Sequence, residues 1–165
     1  MVWNESQFGF GAGSTDSGVR QNGELTANPA SGSEVNVLAS QANWAWPAAV
    51  REIFRPRGVN LLVAENAGDF VSIIKNKRIH TTILDVDSGV WSALTTVRII
   101  RMDFPLMPCI LLSSPPQGDG EQEALLGNAL RLNVFSVIDK PVDMGLLREQ
   151  LNRLFIRRYG SHIFA

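Results

Sequence analysis

Five short apolar runs recur along the chain, and each is followed by a turn. They occupy residues 35–40, 59–64, 80–85, 108–113 and 134–138. Runs this short, with so few polar side chains, are typical of parallel strands that are buried on both faces. The apolar pattern therefore predicts five buried strands.

The segments that follow the runs space their apolar residues three and four positions apart, as in amphipathic helices. The predicted helices cover residues 47–54, 69–78, 91–102, 121–132 and 143–158. The fourth of them contains Gly127, which costs a helix about 1 kcal/mol relative to alanine. We expect the fourth helix to be the least stable. Regular alternation of strand and helix favours a parallel sheet with helices on both faces, so the predicted fold class is a three-layer α/β sandwich of the (βα)5 type.

Composition and charge narrow the classes of function. The chain has 165 residues, 45% of them hydrophobic, and a net charge of −1. This balance gives no electrostatic reason to expect nucleic acid or an anionic membrane as a partner. Cys109 is the single cysteine, so an internal disulfide is excluded and a cytoplasmic location is expected. No apolar run is long enough to span a membrane, and no secretory signal is expected at the N-terminus.

The patterning divides the chain into three parts. Residues 1–34 are rich in Gly, Ser, Asn and Thr and cannot bury enough apolar surface to offset their ordering entropy, so a disordered tail is predicted. Residues 35–158 form the predicted domain, and residues 159–165 form a short C-terminal tail. Since the chain ends soon after the fifth predicted helix, no output domain is expected to follow.

Polar side chains stand where three of the predicted strands end. Asp85 and Asp87 end the third run, Ser113 ends the fourth, and Lys140 follows the fifth. The carboxyl ends of parallel strands meet at one edge of a sheet. A carboxylate, a hydroxyl and an ammonium group are therefore expected to converge in one crevice.

These residues, in the stretches ILDVD, ILLSS and VIDKPV, resemble a receiver domain of two-component response regulators over residues 35–155. The resemblance implies a flavodoxin-like fold with strand order 2-1-3-4-5. It also implies that Asp85 accepts a phosphoryl group from a histidine kinase, and that Ser113 and Lys140 bind that group and switch the domain. The chain would then be a signalling protein in a phosphorelay and not an enzyme.

The sequence departs from the receiver pattern at three places. The acidic pair that ends strand one in receivers is replaced by Ser40 and Gln41, the loop after Asp85 differs, and Val137 stands where receivers carry an aromatic switch. The chain therefore resembles an atypical receiver, or pseudo-receiver. Because only Asp85 and Asp87 remain as candidate anionic metal ligands, we expect magnesium binding to be weak or absent. No other cofactor is expected.

The resemblance implies a protein partner, either a histidine kinase or a downstream signalling protein. It places the contact on the face formed by the fourth predicted helix, the fifth strand and the fifth predicted helix, which could also form a homodimer. Two alternatives stay open. The chain could be an interaction module that works without phosphorylation. Its LDVDSG stretch also resembles the nucleophile motif of haloacid-dehalogenase-like phosphatases, with Asp85 as nucleophile and Asp87 as general acid.

Overall fold

The computed structural model describes residues 34–40, 58–87 and 92–165. The first predicted helix, at 47–54, lies outside these residues, as does the predicted N-terminal tail apart from Glu34.

The described elements match the predicted strands and the later four helices to within two residues at each end. The strands are β1 Val35–Ser40, β2 Val59–Ala64, β3 Thr81–Asp85, β4 Cys109–Ser113 and β5 Ser136–Asp139. The helices are α1 Ala67–Asn76, α2 Ala93–Asp103, α3 Asp119–Arg131 and α4 Met144–Tyr159. No helix among the described residues is long and apolar enough to cross a membrane.

The five strands form one sheet in the order β2-β1-β3-β4-β5, and all four strand pairs are parallel. This confirms the predicted fold class and strand order. Every residue of β3 and β4 is buried, as expected for central parallel strands covered on both faces. The carboxyl ends of β3, β4 and β5 consequently lie side by side at one edge.

Two apolar clusters, one on each face of the sheet, make up the core. On one face α4 packs Leu147, Leu151 and Phe155 against strand residues that include Ile83. On the other face Leu84, the next residue along β3, packs with side chains of α1 and α2. Successive side chains of a strand point to opposite faces, which is why each strand contributes to both clusters.

Three of the four described helices begin at a polar N-cap residue. Asn66, Ser92 and Asp143 cap α1, α2 and α4 by accepting hydrogen bonds from backbone N–H groups of the first turn. The N-cap of α3 is Gly118, which makes no side-chain capping bond. A glycine N-cap is less favourable than a polar one by roughly a few tenths of a kcal/mol, which adds slightly to the penalty expected for Gly127 in the same helix.

The residues after α4 return to the core. Gly160 ends the helix with a φ of 61°, in the left-handed region that glycine tolerates best. Phe164 is 1% exposed, and its ring lies 4.8 Å from that of Phe155 in an edge-on arrangement. The predicted C-terminal tail therefore supplies one of the largest buried side chains of the domain.

Candidate functional site

Three strand ends bring their polar side chains together at the carboxyl edge of the sheet. The ammonium nitrogen of Lys140, just after β5, lies 2.8 Å from Oδ1 and 2.9 Å from Oδ2 of Asp85, the last residue of β3. The same nitrogen lies 2.9 Å from Oδ2 of Asp87. One cation is therefore shared by two carboxylates. The predicted convergence of Asp85 and Lys140 places these two side chains in direct contact.

Asp85 is the buried member of the group, with only 3% of its side chain exposed. Besides the two contacts with Lys140, its Oδ1 accepts a hydrogen bond of 2.8 Å from the backbone N–H of Asp87. Its own backbone N–H donates to the hydroxyl oxygen of Ser40, at the end of β1, over 2.9 Å. A buried carboxylate needs such partners, because an unpaired charge in the interior is very costly.

Asp87 lies at the rim, with 38% of its side chain exposed. Its Oδ2 accepts a hydrogen bond of 2.6 Å from the backbone N–H of Ser114, in addition to the contact with Lys140. Burial alone would raise the pKa of Asp87, but the hydrogen bonds from Lys140 and Ser114, together with the lysine charge, outweigh it and lower the pKa. Asp87 is thus held in its ionised form.

Lys140 is held from both its side chain and its backbone. Its backbone N–H donates to the carbonyl oxygen of Ser113 over 2.8 Å, which extends the pairing of β4 with β5. Burial would lower the pKa of the ammonium group, but hydrogen bonds and attraction from Asp85 and Asp87 raise it overall. The lysine therefore stays charged throughout the neutral range.

Ser113 lies at the same edge but takes no part in these ion pairs. It is buried at the end of β4, and its hydroxyl donates to the carbonyl oxygen of Ser114 over 3.0 Å. The Ser113 hydroxyl therefore lies next to the site, with its hydrogen bond directed to Ser114 and not to the side chain of Asp85 or Lys140. Its switching role remains a prediction.

Weak or absent magnesium binding stays a prediction, and the contacts of the described carboxylates are in line with it. Mg²⁺ needs hard oxygen ligands in near-octahedral geometry, whereas both carboxylates are already paired with Lys140 and the Ser40 oxygen accepts a hydrogen bond. Among the residues that the structure describes, no three His, Cys, Asp or Glu side chains are grouped as metal ligands. The chemistry available here is that of an ion-paired carboxylate.

A cleft of about 600 Å³ opens beside the site. It lies between the loop after β4, helix α3 and strand β5, and Asp87, Ser113, Leu126, Val137 and Asp139 belong to its lining. Val137, at the position where the resemblance implies an aromatic switch, also lines this cleft.

The geometry can now be compared with known proteins. A receiver protein from Pseudomonas putida has 24% identity and a TM-score of 0.62, over 73% of this chain and 98% of that one. The receiver domain of an HD domain-containing protein from Pseudomonas fluorescens Pf-5 has 15% identity and a TM-score of 0.67, over 78% of this chain and 100% of that one. The fold is that of a response-regulator receiver domain.

The sequence comparisons agree with this fold. An NtrX-like response regulator from Rickettsia bellii is 29% identical over 94 residues, which are 56% of this chain and 19% of that protein. The chain thus spans about a fifth of the length of the curated relative. No protein-family profile matches. The roles of Asp85 as phosphoacceptor and of Lys140 as its partner stay predictions.

Two contacts of the site were not predicted from the sequence. The backbone N–H of Ser114 binds Asp87, and the hydroxyl of Ser40 binds the backbone of Asp85. The spacing of Asp85 and Asp87 after an apolar run, with one lysine at a neighbouring strand end, could have indicated a shared ion pair. No comparable signal marks the two backbone N–H groups.

Proposed function

We propose that this chain is a receiver-type module of phosphorelay signalling, with an atypical acidic site in which Asp85 accepts the phosphoryl group. The convergence of Asp85, Ser113 and Lys140 at the carboxyl edge of a sheet with receiver topology carries the proposal. A carboxylate that attacks phosphorus needs fixed positive charge for the phosphoryl oxygens. The Lys140 ammonium group, 2.8 Å from Asp85, supplies it.

Intact-mass spectrometry tests the phosphoacceptor. The full chain is incubated with acetyl phosphate in magnesium-containing buffer, and the Asp85→Asn variant serves as control. We expect slow gain of one phosphoryl group in the wild type and none in the variant, because the carboxamide is a poor nucleophile. A wild-type chain that never gains the group, or a variant that gains it equally, would show that Asp85 is not the acceptor.

The partner surface that we propose is formed by α3, β5 and α4. β5 pairs only with β4, so its outer edge is open among the described strands. On α3, Leu126 and Leu130 lie one helical turn apart, and they are 43% and 80% exposed. Exposed apolar side chains that are grouped in this way mark sites of protein contact. We propose a histidine kinase or a downstream signalling protein as the partner, or a second copy of the chain.

Charge-reversal variants test this surface. Arg131 lies in the last turn of α3 and Arg148 lies on α4, and both are exposed. Arg131→Glu and Arg148→Glu should weaken capture of the partner in a pull-down and should lower any self-association seen by light scattering. If both variants bind normally while deletion of residues 1–34 abolishes binding, the N-terminal segment is the recognition element.

A second candidate function is that of an interaction module that works without phosphorylation. It is favoured because Asp85 is 3% exposed and both of its carboxylate oxygens already contact Lys140. Fold alone does not decide between the two functions. Partner binding that is unchanged in Asp85→Asn, with or without acetyl phosphate, would favour the second candidate.

The geometry gives less support to a phosphatase. A general acid must carry a proton, whereas Asp87 is ion-paired with Lys140 at 2.9 Å and its pKa is lowered by the hydrogen bonds that outweigh its burial. The proposed role is therefore a signalling module and not an enzyme. Hydrolysis of a generic phosphoester that is lost in Asp87→Asn would contradict this.

A further inference from the structure

A phosphoryl group on Asp85 would bring negatively charged oxygens that need donors close by. The described structure offers two strong donors around this position, the Lys140 ammonium group and the backbone N–H of Ser114. Charge-assisted hydrogen bonds of this kind are the strong ones in proteins. The donors that would receive an added oxyanion can therefore be identified.

Both donors are already bound to Asp87. Its Oδ2 lies 2.9 Å from the ammonium nitrogen and 2.6 Å from the Ser114 nitrogen. The backbone N–H of Asp87 donates to Oδ1 of Asp85, which fixes the loop that carries the second carboxylate. A single oxygen of Asp87 thus binds both donors that an oxyanion next to Asp85 would use.

We propose that the Asp87 carboxylate is a built-in substitute for a phosphoryl group, occupying the oxyanion position formed by Lys140 and Ser114. The inference rests on the proposed role of Asp85 and adds a regulatory element to that site. It has two consequences. The loops after β3 and β4 are tied together without phosphorylation, and a phosphoryl group entering the site must first displace Asp87.

The exposure of Asp87 suits such a displaceable group. Its side chain is 38% exposed, against 3% for Asp85, so it can swing into solvent at much lower cost in desolvation and packing. Asp85 is fixed at the end of a buried strand, whereas Asp87 lies in the turn that follows β3. The two carboxylates therefore have different roles. Asp85 is the fixed nucleophile, and Asp87 is the movable substitute.

Binding of inorganic phosphate tests the occupancy directly. The ¹⁵N-labelled full chain is titrated with phosphate in the Asp85→Asn variant and in the Asp85→Asn/Asp87→Ala double variant, and the Ser114 amide signal is followed. Since hydrogen bonds to a charged group are stronger than neutral ones, freeing both donors should tighten phosphate binding at least about tenfold. A Ser114 signal that responds equally in both variants, or in neither, would overturn the proposal.

Matched controls make the result specific. Asp139 lines the same cleft, and its carboxylate makes no recorded ion pair with Lys140. Asp85→Asn/Asp139→Asn should bind phosphate no better than Asp85→Asn alone. If the Asp87→Ala change prevents folding, Asp87→Asn keeps the side-chain size while removing the charge, and it should tighten phosphate binding in the same direction.

Phosphorylation rates separate this inference from the proposed function. An Asp85 oxygen attacks the phosphorus of acetyl phosphate, the new O–P bond forms, and acetate leaves with the electrons of the broken P–O bond. We expect Asp87→Ala to react at least about tenfold faster than the wild type, because the competing carboxylate is gone. Equal rates would overturn the inference. If neither protein is phosphorylated, Asp85 is not an acceptor, and the phosphate titration alone decides whether Asp87 occupies an oxyanion position.

Discussion

Replacing Lys140 with methionine removes the one cation shared by Asp85 and Asp87 while keeping most of the side-chain volume. At 2.8 Å, the attraction between the ammonium nitrogen and Asp85 is about 6 kcal/mol at an effective dielectric constant near 20. Desolvation of the two charges cancels part of this attraction. Breaking a buried ion pair from one side usually costs about 3–5 kcal/mol.

The structure favours the lower end of that range. Lys140 is 21% exposed, so water can approach the remaining carboxylates, although Asp85 itself is 3% exposed. We therefore expect Lys140→Met to lower the free energy of unfolding by about 3 kcal/mol at neutral pH. Asp85→Asn should cost less, about 1–2 kcal/mol, because Lys140 keeps its contact with Asp87.

Urea unfolding followed by circular dichroism measures these differences, and the double variant completes a thermodynamic cycle. The expected coupling energy between Lys140 and Asp85 is about 2 kcal/mol. Lys75→Met is the matched control, because it breaks a pair with Asp103 that is 3.6 Å long and about half exposed on both sides. It should change stability by less than about 0.5 kcal/mol. If the coupling energy between Lys140 and Asp85 is no larger than the stability change caused by Lys75→Met, the buried pair does not stabilise the domain as expected.

Three further predictions concern other parts of the molecule. Mn²⁺, used as a probe for Mg²⁺, should leave the amide signal of Asp87 unbroadened at millimolar concentration, and selective broadening of that signal would contradict the expectation of weak or absent magnesium binding. Burial and the charge of Arg78 lower the pKa of His80 below 6.5. The unfolded state therefore takes up the proton first, and stability should fall as pH drops below about 6.5. The His80→Gln variant should lose this pH dependence of stability. The Arg101 guanidinium donates to three backbone carbonyl groups, so Arg101→Met should cost about 2–4 kcal/mol, whereas Arg98→Met, at an exposed position of the same helix, should be nearly neutral.

The parallel sheet and the place of the site could be predicted because they depend on repeated, local features, whereas the strand order was implied by the resemblance to receiver domains. Each buried strand is an apolar run bounded by turn residues, and alternation with helices leaves few topologies. Asp85 and Lys140 follow such runs directly, so their meeting at one edge results from parallel pairing. Neither inference required knowledge of how any loop is folded.

The remaining contacts depend on tertiary docking and leave no pattern in the sequence. Ser114 binds Asp87 through its backbone N–H, a group that every residue except proline possesses. Phe164 reaches the core only because Gly160 turns the chain back after α4. Arg101 resembles any other basic residue of an amphipathic helix until the carbonyl groups of Met107, Leu132 and Asn133 are seen around it.

The sharing of one lysine by two carboxylates makes position 87 more informative than position 85. Removing the Asp85 carboxylate should abolish phosphorylation in a switch, whereas an interaction module has no phosphorylation to lose. In both cases the change also disturbs a buried ion pair. Removing the Asp87 carboxylate leaves the buried pair in place and frees the Lys140 and Ser114 donors. In a phosphorylated switch, this change should speed acquisition of the phosphoryl group and loosen the two loops until the group arrives. In a phosphorylation-independent module, the same loosening should weaken partner binding, and no phosphodonor should restore it.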